Sequence, residues 1–192
     1  LEHRSVPIRV IRCDLGERVP TRAAGYAGIA MMGGPMSTND ALDWIAPVLT
    51  LVRDAVATDV PVIGHCLGGQ LMAKALGGVV LANQVKEIGW GLVQVSDNTE
   101  ARRWFGAIES FEAFHWHGET FTLPPGATRI ATGACCGNQA FARGKHLGMQ
   151  CHVEMTPEVI RTWCASGSNE IAASLGVGQL RGAVQSIAEI ET

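Results

Sequence analysis

The sequence predicts an α/β domain with a largely parallel sheet and flanking helices. Three observations carry this reading. Short apolar runs rich in Val, Ile and Met recur at residues 8–11, 27–32 and 60–63. A segment of helical period, 41–57, lies between the second and third runs. The third run leads directly into a glycine-flanked turn and a further helix.

Taken in order, residues 1–7 read as the last turn of a helix entering a strand, without an initiating Met, so a preceding strand and most of a helix are expected to be missing. In segment 41–57, Leu42, Ile45, Leu49, Val52 and Val56 fall at spacings of three and four, giving one face to pack on the sheet. Asn39 or Asp40 is expected to cap that helix. The next helix spans about 69–76 and closes at Gly77-Gly78, where a left-handed residue fits. From residue 79 the rhythm becomes strand-rich, with strand-like runs at 79–81, 89–95, 111–116, 129–131, 139–142 and 147–151. Helical period returns after Thr156-Pro157, where threonine caps and proline takes the first helical position, and again near 180–190. No linker, repeat or low-complexity stretch divides the chain, so residues 1–192 are expected to form a single domain, truncated at its N-terminus.

Composition narrows the function classes. With 47% hydrophobic and 17% charged residues, the 192-residue chain has the balance of a protein with a sizeable buried core. Its net charge of -3 comes from 15 basic and 18 acidic residues without a long run of either sign, so no nucleic-acid or membrane-surface footprint is visible. Small-molecule chemistry is favoured. No apolar segment approaches the roughly 20 residues of a membrane span, residues 1–5 lack a signal-peptide core, and a cytoplasmic location is expected. The six cysteines are expected to be reduced. Cys135, Cys136, Cys151 and His152 lack C-x-x-C or H-x-x-x-H spacing, so metal is set aside.

The strongest chemical signal is Gly64-His65-Cys66-Leu67-Gly68-Gly69-Gln70, a G-x-nucleophile-x-G elbow between strand and helix. The nucleophile of such a turn is held in a strained backbone conformation, and only side-chain-free neighbours let strand and helix approach closely. The following helix directs free amides and its positive dipole end at Cys66, which favours thiolate. The alternative is an inert cysteine at a strand end, and glycines on both sides weigh against it. A thiol nucleophile needs a base and a group to orient that base. His152 and Glu154, two apart on extended chain, share a face, so Glu154 is placed to hold the imidazole while His152 faces the thiol.

These residues, with Gly33-Gly34-Pro35-Met36-Ser37, resemble the class I glutamine amidotransferases, whose pattern is a G-G-P loop, a G-x-C-x-G-x-Q elbow and a late H-P-E. The likeness continues through residues 86–90, 114–119 and 138–141 and covers roughly 8–165, looking nearest to stand-alone proteins related to the glutaminase domain of GMP synthase. The resemblance implies a flavodoxin-like, doubly wound sheet, here without its first strand. It implies Cys66 as nucleophile, His152 as general base and later acid, and Glu154 as the residue orienting His152. It further implies an oxyanion hole from the Gly34 and Leu67 amides and a substrate contact from Gln70, with no cofactor and no metal. The implied substrate is glutamine or a γ-glutamyl compound; no G-x-x-x-x-G-K-[ST] loop is present, so nucleotide-dependent amination falls to another chain, a separate synthetase being one option for the ammonia acceptor. Hydrolysis of γ-glutamyl peptides by the same triad, and a non-catalytic binding domain, are the rival readings. His115 and His117 share one strand face and receive no catalytic role. The chain departs from the family in having Val153 where the pattern has proline, a change that removes a backbone restraint and no catalytic atom.

Overall fold

A computed structural model describes residues 5–175 and 183–192. The expected helix end at 1–4 and the start of the tail helix at 180–182 lie outside the described residues. The chain folds as a mixed α/β structure, with helices on both faces of a seven-stranded sheet.

The first parallel unit runs from β1 (Ile29–Met31) through α1 (Ile45–Ala57) to β2 (Val62–His65), with Ile29 opposite Val62 and Met31 opposite Gly64. α2 (Leu67–Ala75) follows the elbow at once. Beyond it come β3 (Val80–Val95), α3 (Thr99–Phe105), β4 (Ser110–Phe121), β5 (Thr128–Gly133), β6 (Ala140–Arg143) and β7 (His146–Met149). The sheet order is β1-β2-β7-β6-β5-β3-β4. α4 (Pro157–Ser166), α5 (Ser168–Ser174) and α6 (Ile187–Ile190) close the chain.

The parallel pairing expected for most of the sheet is confined to β1-β2-β7, and the other four pairings are antiparallel. The reason is in the connections. A parallel return needs a crossover of a dozen residues or more, whereas between β3 and β7 the only described helix is the seven-residue α3. The strands there turn back on themselves instead. Runs 79–81 and 89–95, read from the sequence as two strands, are parts of the single long β3, whose ladder with β4 is interrupted between Ala82 and Glu87.

Three local expectations are corrected. Residues 8–11 are extended but not a strand: among the described residues nothing pairs with them, and Ile8 and Val10 are 48% and 70% exposed. Without a ladder partner, apolar alternation cannot hold a strand. α1 begins at Ile45, after Trp44, with no side-chain cap; Asp40 instead accepts from the Ser37 amide at 2.9 Å and Asn39 donates to the Val80 carbonyl at 3.1 Å. Its buried stripe is Ile45, Val48, Leu51, Val52 and Ala55, so Leu42 is left outside. The third is α3, absent from the sequence reading although Asn98 caps it through the Ala101 amide at 2.8 Å.

α2 lies against the parallel strands at glycine-only distances. A Cβ on Gly68 would stand 2.2 Å from the Met31 carbonyl oxygen of β1, and one on Gly69 would stand 2.4 Å from the Met149 carbonyl oxygen of β7. On β2, a Cβ at Gly64 would meet the Gly68 backbone at 2.4 Å. α1 and α2 bury Val52, Val62, Leu71, Met72 and Phe141 on one face, and α3 covers Val93, Ile130 and Ala131 on the other. α4 to α6 gather around Ile88 and Phe114. The expected left-handed helix end is Gly77, at φ +96°.

Gly68→Ala is therefore expected to lose about 3 kcal/mol of stability or more, because the obstructing atoms are backbone. Gly137→Ala, where a Cβ meets nothing within 4 Å, is expected to stay within about 0.5 kcal/mol of the parent. Urea unfolding midpoints of the two variants check this contrast.

Candidate active site

Cys66 sits between β2 and α2 with φ 49° and ψ -111°, one of three described non-glycine residues at positive φ. That conformation costs on the order of 1–3 kcal/mol and is held by bonds on either side. The Cys66 amide donates to the Met149 carbonyl at 2.8 Å, and the Cys66 carbonyl accepts from the Gln70 amide at 2.9 Å. The sulfur lies 3.8 Å from the Trp116 carbonyl oxygen and accepts from Gln150 Nε2 at 3.6 Å.

His152 arrives from just beyond β7. Its backbone bridges to Phe114 of β4, donating to the Phe114 carbonyl at 2.8 Å and accepting from the Phe114 amide at 3.2 Å. Its Nδ1 lies 2.7 Å from Glu154 Oε1. Nε2 is buried without a partner at full hydrogen-bond geometry, and Cys66 is the group close enough to bias it. Trp163 of α4 stands edge-on to the imidazole, ring centres 5.2 Å apart.

The electrostatics follow from burial and partners. Burial alone would push His152 down; its contacts with Cys66 and Glu154 outweigh that and carry its pKa up to about 9. Burial pulls the Glu154 carboxyl upward, yet its hydrogen bond to His152 leaves it below the usual range. The second carboxylate oxygen of Glu154 lies 3.2 Å from His65 Nδ1. Burial holds His65 below its ordinary value against the pull of Glu154. The other five cysteines are all pushed up by burial, Cys151 to about 12, so each keeps its thiol proton at neutral pH.

The structure thus gathers Cys66, His152 and Glu154. It also brings the glycine loop to them: a Cβ on Gly33 would lie 2.9 Å from His152 Cε1 and 3.5 Å from Cys66 Cβ. Gly34 packs on Leu67, where a Cβ would meet Cδ2 at 3.0 Å. Leu67 opens α2, so its amide has no acceptor within the helix. Gln70 is buried, and its Nε2 donates to Gln150 Oε1 at 3.1 Å and to the Glu119 carbonyl at 3.3 Å. Ser37 Oγ donates to Glu119 Oε1 at 2.9 Å, fastening the glycine loop to β4.

Sequence reasoning missed His65, Gln150, Trp116 and Trp163 as neighbours of this site. His65 and Gln150 stand beside Cys66 and His152 in the chain, and that adjacency is a signal that could have found them. The tryptophans are brought in by β4 and α4. Two open hollows, one lined by Pro61, Arg103, Trp104 and Lys145 and the other around Arg18 and Tyr26, contain none of these groups. Among the described residues no helix is long and apolar enough to cross a membrane.

The model of the family "Glutamine amidotransferase class-I" matches residues 1–163. The chain is 31% identical over 185 residues to the glutamine amidotransferase-like protein YfeJ of Salmonella typhimurium, covering 91% of this chain and 76% of that one. It is 32% identical over 162 residues to a glutamine-hydrolyzing GMP synthase subunit of Methanospirillum hungatei, covering 82% and 78%. Against the GMP synthase of Aromatoleum aromaticum it spans only 26% of that protein's length. Among solved structures, the glutamine amidotransferase of Methylobacillus flagellatus superposes with a TM-score of 0.93 at 42% identity, over 99% of this chain and 77% of that one. A glutamine amidotransferase of Thermotoga maritima gives 0.81 at 27% identity, over 90% and 75%.

Because the pKa of His152 is raised from 6.5 to about 9 on folding, its protonation stabilises the fold fully below about pH 6.5 and progressively less as pH rises through 9. Stability measured from pH 6 to 10 is expected to fall across that window. Glu154→Gln is expected to flatten the fall, and an unchanged slope in that variant refutes the assignment.

Proposed function

The chain belongs to the class I glutamine amidotransferase family, and on that premise we propose that it hydrolyses the side-chain amide of glutamine through Cys66, His152 and Glu154. The observation that carries this reading is one geometry: a cysteine at positive φ on a strand-to-helix elbow, beside an imidazole whose far nitrogen rests on a carboxylate at 2.7 Å. An inert strand-end cysteine needs neither the strain nor the charged neighbour.

In this scheme the Cys66 sulfur attacks the amide carbon of glutamine as thiolate, its proton residing on His152. The C–S bond forms as the carbonyl π pair moves onto oxygen, and the Gly34 and Leu67 amides receive the resulting oxyanion. When that pair returns, the C–N bond breaks and the His152 imidazolium protonates the departing nitrogen, releasing ammonia. Neutral His152 then takes a proton from water, whose oxygen attacks the thioester. Collapse expels the Cys66 sulfur and leaves glutamate. Glu154 keeps Nδ1 protonated and Nε2 aimed at sulfur throughout. Gln70 acts by bracing Gln150 and the cleft wall around the glutamine. Residues 1–192 work as one unit in this reading, and ammonia passes to a separate synthetase chain, as the kinship with a GMP synthase subunit supports.

The test is glutamate release from glutamine by the chain alone, with a γ-glutamyl dipeptide in parallel. Cys66→Ala is expected to lower release by on the order of 10³-fold or more. Full activity in Cys66→Ala overturns the scheme, and preference for the dipeptide moves the assignment to a γ-glutamyl peptidase using the same triad.

A further inference from the structure

We propose that Glu87, His115 and His117 bind one divalent transition-metal ion of the zinc class, within the sheet beside the candidate active site. One ligand atom from each residue lies within 4.8 Å of the other two, and all three side chains are buried. The β3–β4 register assembles them. After the ladder shifts between Ala82 and Glu87, Glu87 stands directly opposite His117, and His115 follows two residues along the same face of β4.

The proton positions argue for a cation. His117 Nδ1 lies 3.0 Å from the Glu119 carbonyl oxygen. A carbonyl only accepts, so Nδ1 carries the proton and the neutral ring has its lone pair on Nε2. That Nε2 is 3.0 Å from Glu87 Oε2, closed off from solvent, and off the line that a hydrogen bond between them requires. A lone pair facing a carboxylate is repulsive unless a positive charge relieves it, either a second proton on the ring, which makes the pair with Glu87 ionic, or a metal ion held by both groups. A metal ion sits to one side of the N···O line, where a shared proton cannot; two tetrahedral ligands at 2.0–2.2 Å from zinc stand about 3.3–3.6 Å apart, so the 3.0 Å pair opens by a few tenths of an ångström on binding.

His115 is arranged in the complementary sense. Its Nε2 lies against the backbone of Gly91, which favours a proton there although full hydrogen-bond geometry is not reached. Nδ1 is left toward the cluster, 3.5 Å from Gln139 Nε2. Each imidazole thus directs one nitrogen to backbone and the other inward, the arrangement in which the outer contact orients a metal-ligating histidine. Gln139 Nε2 donates to Glu87 Oε2 at 3.0 Å while its Oε1 is buried without a partner. A half-turn of that amide presents the oxygen as a fourth ligand. The ion would tie β3 and β4 to Gln139, the residue leading into β6, and so hold the strand whose Trp116 carbonyl faces the Cys66 sulfur.

The test uses the whole chain, stripped with a chelator and titrated with Co²⁺ alone. We expect one equivalent to bind with visible ligand-field absorption and no thiolate charge-transfer band. Zn²⁺ should displace it and raise the melting temperature. Glu87→Gln and His117→Asn should each weaken Co²⁺ binding by more than about 10²-fold, beyond the loss of an outer contact. A folded parent with no Co²⁺ absorption and no Zn²⁺ shift in melting overturns the proposal. So does a thiolate band, or absorption unchanged in folded variants. If the variants fail to fold, the parent's stoichiometry and band pattern decide. None of these readings depends on glutamine hydrolysis.

Discussion

The rest of this structure depends on how closely α2 approaches the parallel strands. At Gly64, Gly68 and Gly69 a side chain would strike backbone at 2.2–2.4 Å, and its absence lets the helix close on β1, β2 and β7. At that distance the turn between β2 and α2 has no slack, and Cys66 is forced into its positive-φ conformation. The nucleophile's direction is thus set by packing of main chain on main chain, the least compliant contact a protein offers. The same contact sets the Leu67 side chain against Gly34 of the glycine loop.

Around this rigid point, charge is distributed by pairing and burial. Glu154 lies between two imidazoles, 2.7 Å from His152 and 3.2 Å from His65, but the two respond in opposite directions. His152 gains the proton because Cys66 adds its influence on the far side, while at His65 burial, joined by repulsion from His152, outweighs the pull of Glu154 and of the Cys151 backbone. Trp116 and Trp163 stand near this pair with Phe114, giving the imidazole an apolar wall that keeps water from competing for its nitrogens.

What is legible in the sequence is what spacing along the chain decides. The elbow, the His152-x-Glu154 pair and the Thr156-Pro157 helix start are all set by neighbours a few residues apart, and each is found where that spacing puts it. What depends on pairing between distant segments is not legible. The extent of parallel pairing turns on the lack of a crossover after β3, and residues 8–11 need a ladder partner that apolar alternation cannot supply. Glu87 and Gln139 carry no local mark of belonging with His115 and His117, because a shift in the β3–β4 register and the return of β6 put them together. The sequence reading starts the elbow helix at about residue 69, two residues late, because the spacing of the elbow does not show that Leu67 already opens the helix directly after Cys66.

β1, only three residues long, pairs on one side alone among the described residues. Gly33 and Gly34 follow within three residues of Met31. The strand is thus the short stem on which the loop facing Cys66 and His152 stands, and that loop inherits its position from the three residue pairs that fasten β1 to β2.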